Sequence, residues 1–313
     1  MYVVTGGAGF IGSSLVRALL GAGERVVVLD DFSSGHRANL VGLDETRLKV
    51  VETNICDGLT TGMAQVEQAW GRPKAVVHLA AQVSVVASLH SPLEDARRNH
   101  CATLQVLEYA RANPGTRVVL ASSAATYGDV DEVPVREEAA RWPLSPYGFH
   151  KFSSELALRA YAEVHGVPTA ALRFFNVYGP RQDPSSPYSG VISIFMKRAL
   201  EGAPITIFGD GEQTRDFVFV GDVVSALRKA ADRDFKGDVF NVGTGIETTV
   251  NTLAETVVQE AGSASTIEHA PARAGEILRS CAELTNTRET LGFEARVGLA
   301  DGLGQTLAWF RER

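Results

Sequence analysis

The sequence predicts a doubly wound α/β protein: a parallel sheet covered by helices on both faces, followed by a second, smaller α/β lobe. Three observations predict it. Six apolar, β-rich runs occur by residue 172, at 2–4, 26–29, 48–51, 75–79, 117–121 and 169–172, with almost no polar alternation; strands of that kind are buried on both faces. Helical patterns separate them, notably at 11–22, 92–111 and 147–165, and such alternation builds a parallel sheet. A glycine-rich turn joins the first run to the first helix, where doubly wound sheets open their ligand crevice. After about residue 175 the rhythm changes. Short strand candidates at 205–208, 217–220 and 239–242 mix with helices near 191–201, 222–232, 250–260 and 298–311. The expected division is 1–174 plus about 217–246 as the large domain, and about 175–216 plus 247–313 as the smaller lobe. Gly/Ser/Pro-rich stretches at 183–190 and 261–265 read as loops.

Bulk properties narrow the function classes. A chain of 313 residues has the length of two domains at roughly 150 residues each, and buries about 75% of its extended surface without disulfide or metal staples. No run approaches the ~18 apolar residues of a membrane span. The net charge is −7, with 37 acidic residues scattered among 30 basic ones, which excludes the basic stripe of a nucleic-acid binder. The three cysteines, Cys56, Cys101 and Cys281, match no zinc or redox spacing, and no His/Asp/Glu cluster has metal spacing. Reduced thiols, and a strand pattern that begins at Tyr2, lead to the expectation of a cytoplasmic protein.

The first motif is Thr5-Gly6-Gly7-Ala8-Gly9-Phe10-Ile11-Gly12. Gly6, Gly9 and Gly12 allow a tight turn, close backbone approach to a pyrophosphate and close helix–sheet packing, with the anion on free N–H groups at the helix start. The next strand ends in Asp30, 18 residues beyond Gly12. A carboxylate there accepts from a ribose 2′-OH and repels a 2′-phosphate, so the expected cofactor is NAD rather than NADP.

The second constellation carries the chemistry. Tyr147 and Lys151 lie four residues apart, on one helical face. Ser145 suits the N-cap and Pro146 the first turn. The strand from Arg117 runs into Ser122-Ser123, and its C-terminal end opens on the cofactor crevice. A phenol titrates near pH 10, and an adjacent ammonium favours phenolate, which suits it to act as a base. Ser123 is placed to hydrogen-bond the same substrate oxygen. The alternative is a surface tyrosine–lysine pair beside a loop serine.

Together these residues resemble a family. The fingerprint TGGAGFIG, His78-Leu79-Ala80-Ala81, the Ser123…Tyr147-x-x-x-Lys151 set and Arg173-Phe174-Phe175-Asn176-Val177-Tyr178-Gly179-Pro180 are similar to the extended short-chain dehydrogenase/reductases. Gly209-Asp210-Gly211…Arg215-Asp216-Phe217-Val218 and Arg273-Ala274-Gly275-Glu276 extend the likeness over essentially the whole chain. Within that superfamily it looks most like the UDP-glucose 4-epimerases. The resemblance implies Tyr147 as the base for the sugar 4-OH, Lys151 on the nicotinamide ribose and Ser123 assisting proton transfer. It places Phe10, Ile11, Asp31, Asn54, Ile55, Leu79, Ala80, Ala81 and Asn99 around NAD. It places Asn176, Arg215, Arg273 and Glu276 on a UDP-sugar, with Ser280 where bulk would restrict the pocket to plain hexoses; a small residue there implies room for a 2-acetamido group.

The implied reaction is interconversion of UDP-glucose and UDP-galactose by inversion at C4 through a 4-keto sugar. Ala124 and Ala125 follow Ser123, where related dehydratases carry an acid pair and related decarboxylases a Glu at the second position. UDP-glucuronate 4-epimerase, another nucleotide-sugar reductase or decarboxylase, and a non-catalytic NAD-binding protein are the alternatives. Asn54 stands for an adenine-contacting Asp, and Ala102 and Ala274 replace a family Gly and Pro. His150 reads as a solvent-facing helical residue and His78 as a satisfied structural one. Apolar stripes on 92–111 and 147–165 (Leu93, Ala96, Val106, Leu107, Ala110; Phe152, Leu156, Ala160, Val164) read mostly as core. By resemblance, the remainder is expected to form a two-fold homodimer interface.

Overall fold

The computed structural model describes residues 1–183, 190–272 and 277–312. The first half runs β1 (Tyr2–Thr5), α1 (Phe10–Gly21), β2 (Val26–Asp30), β3 (Leu48–Glu52), α2 (Thr60–Trp70), β4 (Ala75–His78), α3 (Val85–His90), α4 (Pro92–Ala96), α5 (Ala102–Ala112), β5 (Arg117–Ser123), α6 (Pro146–His165) and β6 (Thr169–Phe174). The second adds β7 (Asn176–Tyr178), α7 (Val191–Leu200), β8 (Ile205–Phe208), β9 (Thr214–Arg215), β10 (Phe217–Phe219), α8 (Val220–Ala231), β11 (Lys236–Val242), β12 (Thr248–Thr249), α9 (Val250–Ala261), β13 (Ile267–Ala270) and α10 (Leu299–Arg311).

Seven strands form one parallel sheet in the order β11-β6-β5-β4-β1-β2-β3. Successive side chains of a strand point to opposite faces, which explains the continuous apolar runs. Val4, Val28, Val77, Val119 and Leu172 pack with Leu15 and Leu19 of α1 and Val223 and Leu227 of α8. Their neighbours Val3, Val27, Val76, Val118 and Ala171 pack with Met63 of α2, Val106 and Leu107 of α5 and Leu158 of α6. The strand order reverses between β1 and β4, so the crevice opens beyond their C-terminal ends.

The 239–242 run begins earlier, at Lys236, and joins the sheet beside β6. The 217–220 run stops at Phe219, because Val220 already opens α8. Outside the large sheet, α7, α9 and α10 close over β8 with Phe195, Met196, Ile205, Leu253, Val257 and Leu303. A small cluster of Tyr127, Val135, Phe175, Ala282 and Leu284 joins the loop after β5 to the last third of the chain. There Val135 N donates to Cys281 O at 2.8 Å and Glu283 N to Val135 O at 2.9 Å.

Other expectations change as well. The 92–111 helix is interrupted by a wide π-type turn at Arg97–Cys101. The extra residue coincides with Asn99 turning inward, its amide donating to Gln82 O and Asp95 Oδ1, both at 3.0 Å. The Thr103 hydroxyl donates to Asn99 O at 2.8 Å. Ala102 sits in helical backbone (φ −60, ψ −40), so nothing in its conformation calls for glycine. The apolar stripes are only partly core: Val106, Leu107 and Ala110 are buried, but Leu93, Leu156 and Val164 are solvent-exposed. Of the two loop stretches, 183–190 falls largely outside the described residues, and the other begins at the last residue of α9.

Candidate active site

The crevice floor begins with the turn between β1 and α1. Gly6 has φ 66°, a left-handed backbone, and a Cβ on Gly12 would lie 2.1 Å from Gly6 O. Helix and turn are therefore in backbone contact. Gly9 caps α1 without a side-chain bond, leaving the N–H groups of Phe10, Ile11 and Gly12 without helical acceptors. These open donors at the positive helix end suit a pyrophosphate.

Asp30 braces that turn. Its Oδ2 accepts from Ala8 N and its Oδ1 from Phe32 N, both at 2.9 Å. Burial raises its pKa. Each oxygen keeps a second lone pair for a ribose hydroxyl. Exposed Asp31 accepts from Ser33 N at 2.9 Å. Asn54 Oδ1 caps its own turn, accepting from Cys56 N at 2.9 Å, and the Ile55 side chain belongs to the core, leaving its backbone for a ligand. Beyond β4, Leu79 N and Ala80 N donate to Thr5 Oγ1 at 3.2 and 3.1 Å. The Thr5 hydroxyl lies 2.7 Å from His78 Nδ1. Burial, with a lesser push from Lys151, lowers His78 to about 3, so the ring is a neutral brace against Thr5.

Ser123, Tyr147 and Lys151 are brought together by β5 and α6. Ser145 Oγ caps α6, accepting from Gly148 N at 3.2 Å, with Pro146 in the first turn. A Cβ on Gly148 would lie 2.4 Å from Ala125 O, so the helix start rests directly on the turn after Ser123. This sets the Ser123 hydroxyl on the same side of the crevice as the Tyr147 phenol, close enough to act on it. Lys151 Nζ donates to Ala121 O at 2.9 Å and lies 5.9 Å from the Tyr147 ring centre. Burial pushes Tyr147 up to about 12, against the lowering effect of Ser123. Burial also brings Lys151 down to about 8, opposed by Asp95 and Glu155.

Sequence reasoning missed the supports behind this group. His150 is not solvent-facing: its side chain is 12% exposed and its Nδ1 lies 2.6 Å from Asp95 Oδ2. Asp95, 1% exposed, also accepts from Gln82 Nε2 at 2.8 Å. Tyr147 and His150 are three apart on a helix, a spacing that already signalled a shared side. Buried Arg173 grips Glu155 of α6 through two bonds of 2.9 and 2.6 Å.

The residues expected to hold the substrate are only partly visible. In β5–β6 pairing Ser123 lies opposite Phe174, so exposed Asn176 sits at the same sheet rim. Arg215 is half-buried in β9, its guanidinium donating to Thr214 O at 2.8 Å. Its neighbour Asp216 is fully buried and accepts from Thr244 N at 2.7 Å, Gly245 N at 2.9 Å and Ala282 N at 3.1 Å. That knot fixes the strand carrying Arg215 beside half-buried Ser280. Arg273, Ala274 and Glu276 lie outside the described residues. Among the described residues no group of three or more His, Cys, Asp or Glu side chains is arranged to hold a metal, and no helix is long and apolar enough to cross a membrane.

Residues 2–243 match the model of the NAD dependent epimerase/dehydratase family. The chain belongs to that family. Epimerases of this family and superfamily, the extended short-chain dehydrogenase/reductases, are prominent among its relatives. A UDP-glucose 4-epimerase of Mycolicibacterium smegmatis is 39% identical over 99% of this chain and 98% of its own length. The structure of a UDP-glucose 4-epimerase from Thermotoga maritima with UDP-glucose superposes with a TM-score of 0.91 at 38% identity, covering 99% and 98% of the two chains. A UDP-N-acetylglucosamine 4-epimerase from Methanobrevibacter ruminantium, in complex with UDP-N-acetylmuramic acid, gives 0.92 at 35% identity, with the same coverage. The family's other chemistries also match, at 33% identity: a dTDP-glucose 4,6-dehydratase of Streptomyces niveus and a UDP-glucuronic acid decarboxylase of Arabidopsis thaliana. NAD is the cofactor of this NAD-dependent epimerase family, and solved neighbours carry it.

Proposed function

We propose that this chain interconverts UDP-glucose and UDP-galactose by inversion at sugar C4 through a 4-keto intermediate. The observation that carries the reading is the juxtaposition of Ser123 and buried Tyr147 with buried Lys151, with Ala124 and Ala125 following Ser123. A methyl group transfers no proton. Water elimination and decarboxylation need a further acid or base there; inversion needs one base.

The turn of Gly6–Gly12 and Asp30 would hold NAD, and buried Asn99 Oδ1, which has no partner, offers a further acceptor. When bound, NAD takes up and returns the hydrogen at the sugar carbon, and its oxidised ring carries a positive charge. Tyr147 Oη removes the proton of the 4-hydroxyl and later restores it. Lys151 holds positive charge beside the phenol and so favours phenolate. The Ser123 hydroxyl orients the sugar oxygen. Asn176, Arg215 and Arg273 would bind the diphosphate, where guanidinium groups match phosphate oxygens bidentately, and Glu276 the uridine ribose.

Purified protein incubated with UDP-glucose should yield the C4 epimer without added cofactor; net NADH, or no product, would overturn the reading. The small, half-buried Ser280 supports additional activity on UDP-GlcNAc. In the same assay Ser280→Tyr should remove that activity and spare UDP-glucose.

We further propose that the chain pairs with a second copy through the helices spanning 92–111 and 147–165. Leu93, Phe149, Leu156 and Val164 of those helices are 86%, 56%, 54% and 73% exposed, an apolar surface beyond scattered exposure. Light scattering should give twice the chain mass at micromolar concentration; a monomer would refute the pairing.

A further inference from the structure

The Asp95 carboxylate is a junction of three segments that line the active site. Its Oδ2 meets His150 Nδ1 of α6 at 2.6 Å. Its Oδ1 accepts from Gln82 Nε2, beyond β4, at 2.8 Å and from Asn99 Nδ2, in the wide turn, at 3.0 Å. Asn99 Nδ2 also reaches Gln82 O at 3.0 Å. Gln82 directly follows Leu79–Ala81, and His150 lies between Tyr147 and Lys151 on α6. One buried group therefore couples the expected cofactor side of the crevice to the helix bearing the acid–base pair.

We propose that Asp95 and His150 form a positioning pair that holds Tyr147 and Lys151 in place and sets the charge around them. The inference rests on the assignment of those two residues as the reactive pair. The surrounding charges favour it. Acting with the pair are Tyr147 and Lys151 from α6, which feel Asp95, and His100 from the wide turn, which feels His150; Glu155 of α6 and His78 of β4 are coupled to Lys151. The Glu94 carboxylate of α4 turns away to bond Arg98 at 2.5 Å. Asp95 and Glu155 are the carboxylates that act on Lys151, and Glu155 is already gripped by Arg173 at 2.6 Å. Asp95 is left without a fixed cation; the imidazole of His150 is its partner. Its negative charge favours the proton on both Tyr147 and Lys151.

The test is the pH profile of kcat in the NAD-loaded enzyme. Asp95→Asn removes the charge that retains both protons, so both limbs should move to lower pH, by about one unit for a neighbouring charge. His150→Ala should lower kcat about tenfold with KM for the UDP-sugar little changed, as expected of a misplaced reactive group. His150→Gln, which keeps a donor toward Asp95, should restore most of the loss. Limbs that stay at their wild-type pH in Asp95→Asn overturn the proposal, however much kcat falls. If that variant does not fold, equal activity of His150→Ala and wild type overturns it instead. An active Tyr147→Phe enzyme would sink the underlying assignment; an inactive Tyr147→Phe together with unmoved limbs in Asp95→Asn sinks only the positioning pair.

Discussion

Tyr147→Phe is expected to abolish turnover while NAD remains bound. The substitution removes one oxygen from a site where the phenol is buried beside Ser123. No other described side chain replaces it as a base: His78 is neutral and braced against Thr5 at 2.7 Å, and Lys151 is tied to Ala121 O at 2.9 Å. General acid–base groups contribute about 10²–10⁴-fold, so kcat should fall by at least that range. The turn of Gly6–Gly12 and the Asp30 bonds to Ala8 and Phe32 are untouched, so the cofactor should co-purify as in wild type. Rapid-quench or coupled assays of epimer formation, together with nucleotide released on denaturation, measure both quantities. Near-wild-type turnover would remove Tyr147 from the mechanism. Loss of bound NAD would assign it to cofactor retention instead.

The second large effect is on stability. Arg173, 1% exposed, donates to both Glu155 oxygens at 2.9 and 2.6 Å, to Tyr127 OH at 2.8 Å and to Glu137 O at 2.9 Å. Arg173→Met keeps much of the volume but leaves the buried Glu155 carboxylate without its cation and the Glu137 carbonyl without this donor. Breaking a buried pair by removing one partner costs about 3–5 kcal/mol. Replacing both partners with apolar residues costs far less, because no charge is left without a partner. The expected result is a large drop in the urea midpoint for Arg173→Met and recovery of much of it in Arg173→Met/Glu155→Met. A single variant within about 1 kcal/mol of wild type, the range of an exposed pair, would show that the ion pair does not hold β6 to α6.

Much of this architecture is legible in the sequence because it depends on local period. The apolar runs of 26–29 and 75–79 announce strands buried on both faces, and the four-residue spacing of Tyr147 and Lys151, after a capping Ser145, announces one helix edge. Other features depend on contacts between distant segments and leave no such trace. Asp95 and His150 are 55 positions apart, and nothing in either helix alone says that they meet. Residue type misleads as well: a histidine beside a lysine looks like a solvated face until its ring is found against a buried carboxylate. Arg173 is visible within a family-like string, but its grip on Glu155 needs the packing of β6 against α6. The broken 92–111 helix has the same origin, since its wide turn accompanies a side-chain contact with Gln82, outside the helix.

All seven strands of the large sheet point the same way, so the Gly6 turn, Asp30, Leu79 and Ser123 emerge along a single rim. The two apolar layers of the sheet lie below it and include none of Ala125, Asn176 and Ser280, while Ala124 packs against the small Tyr127 cluster at the rim. Heredity can therefore rewrite the reaction through a few rim codons and leave the foldable interior alone. A scaffold so partitioned evolves new chemistry without having to relearn how to fold.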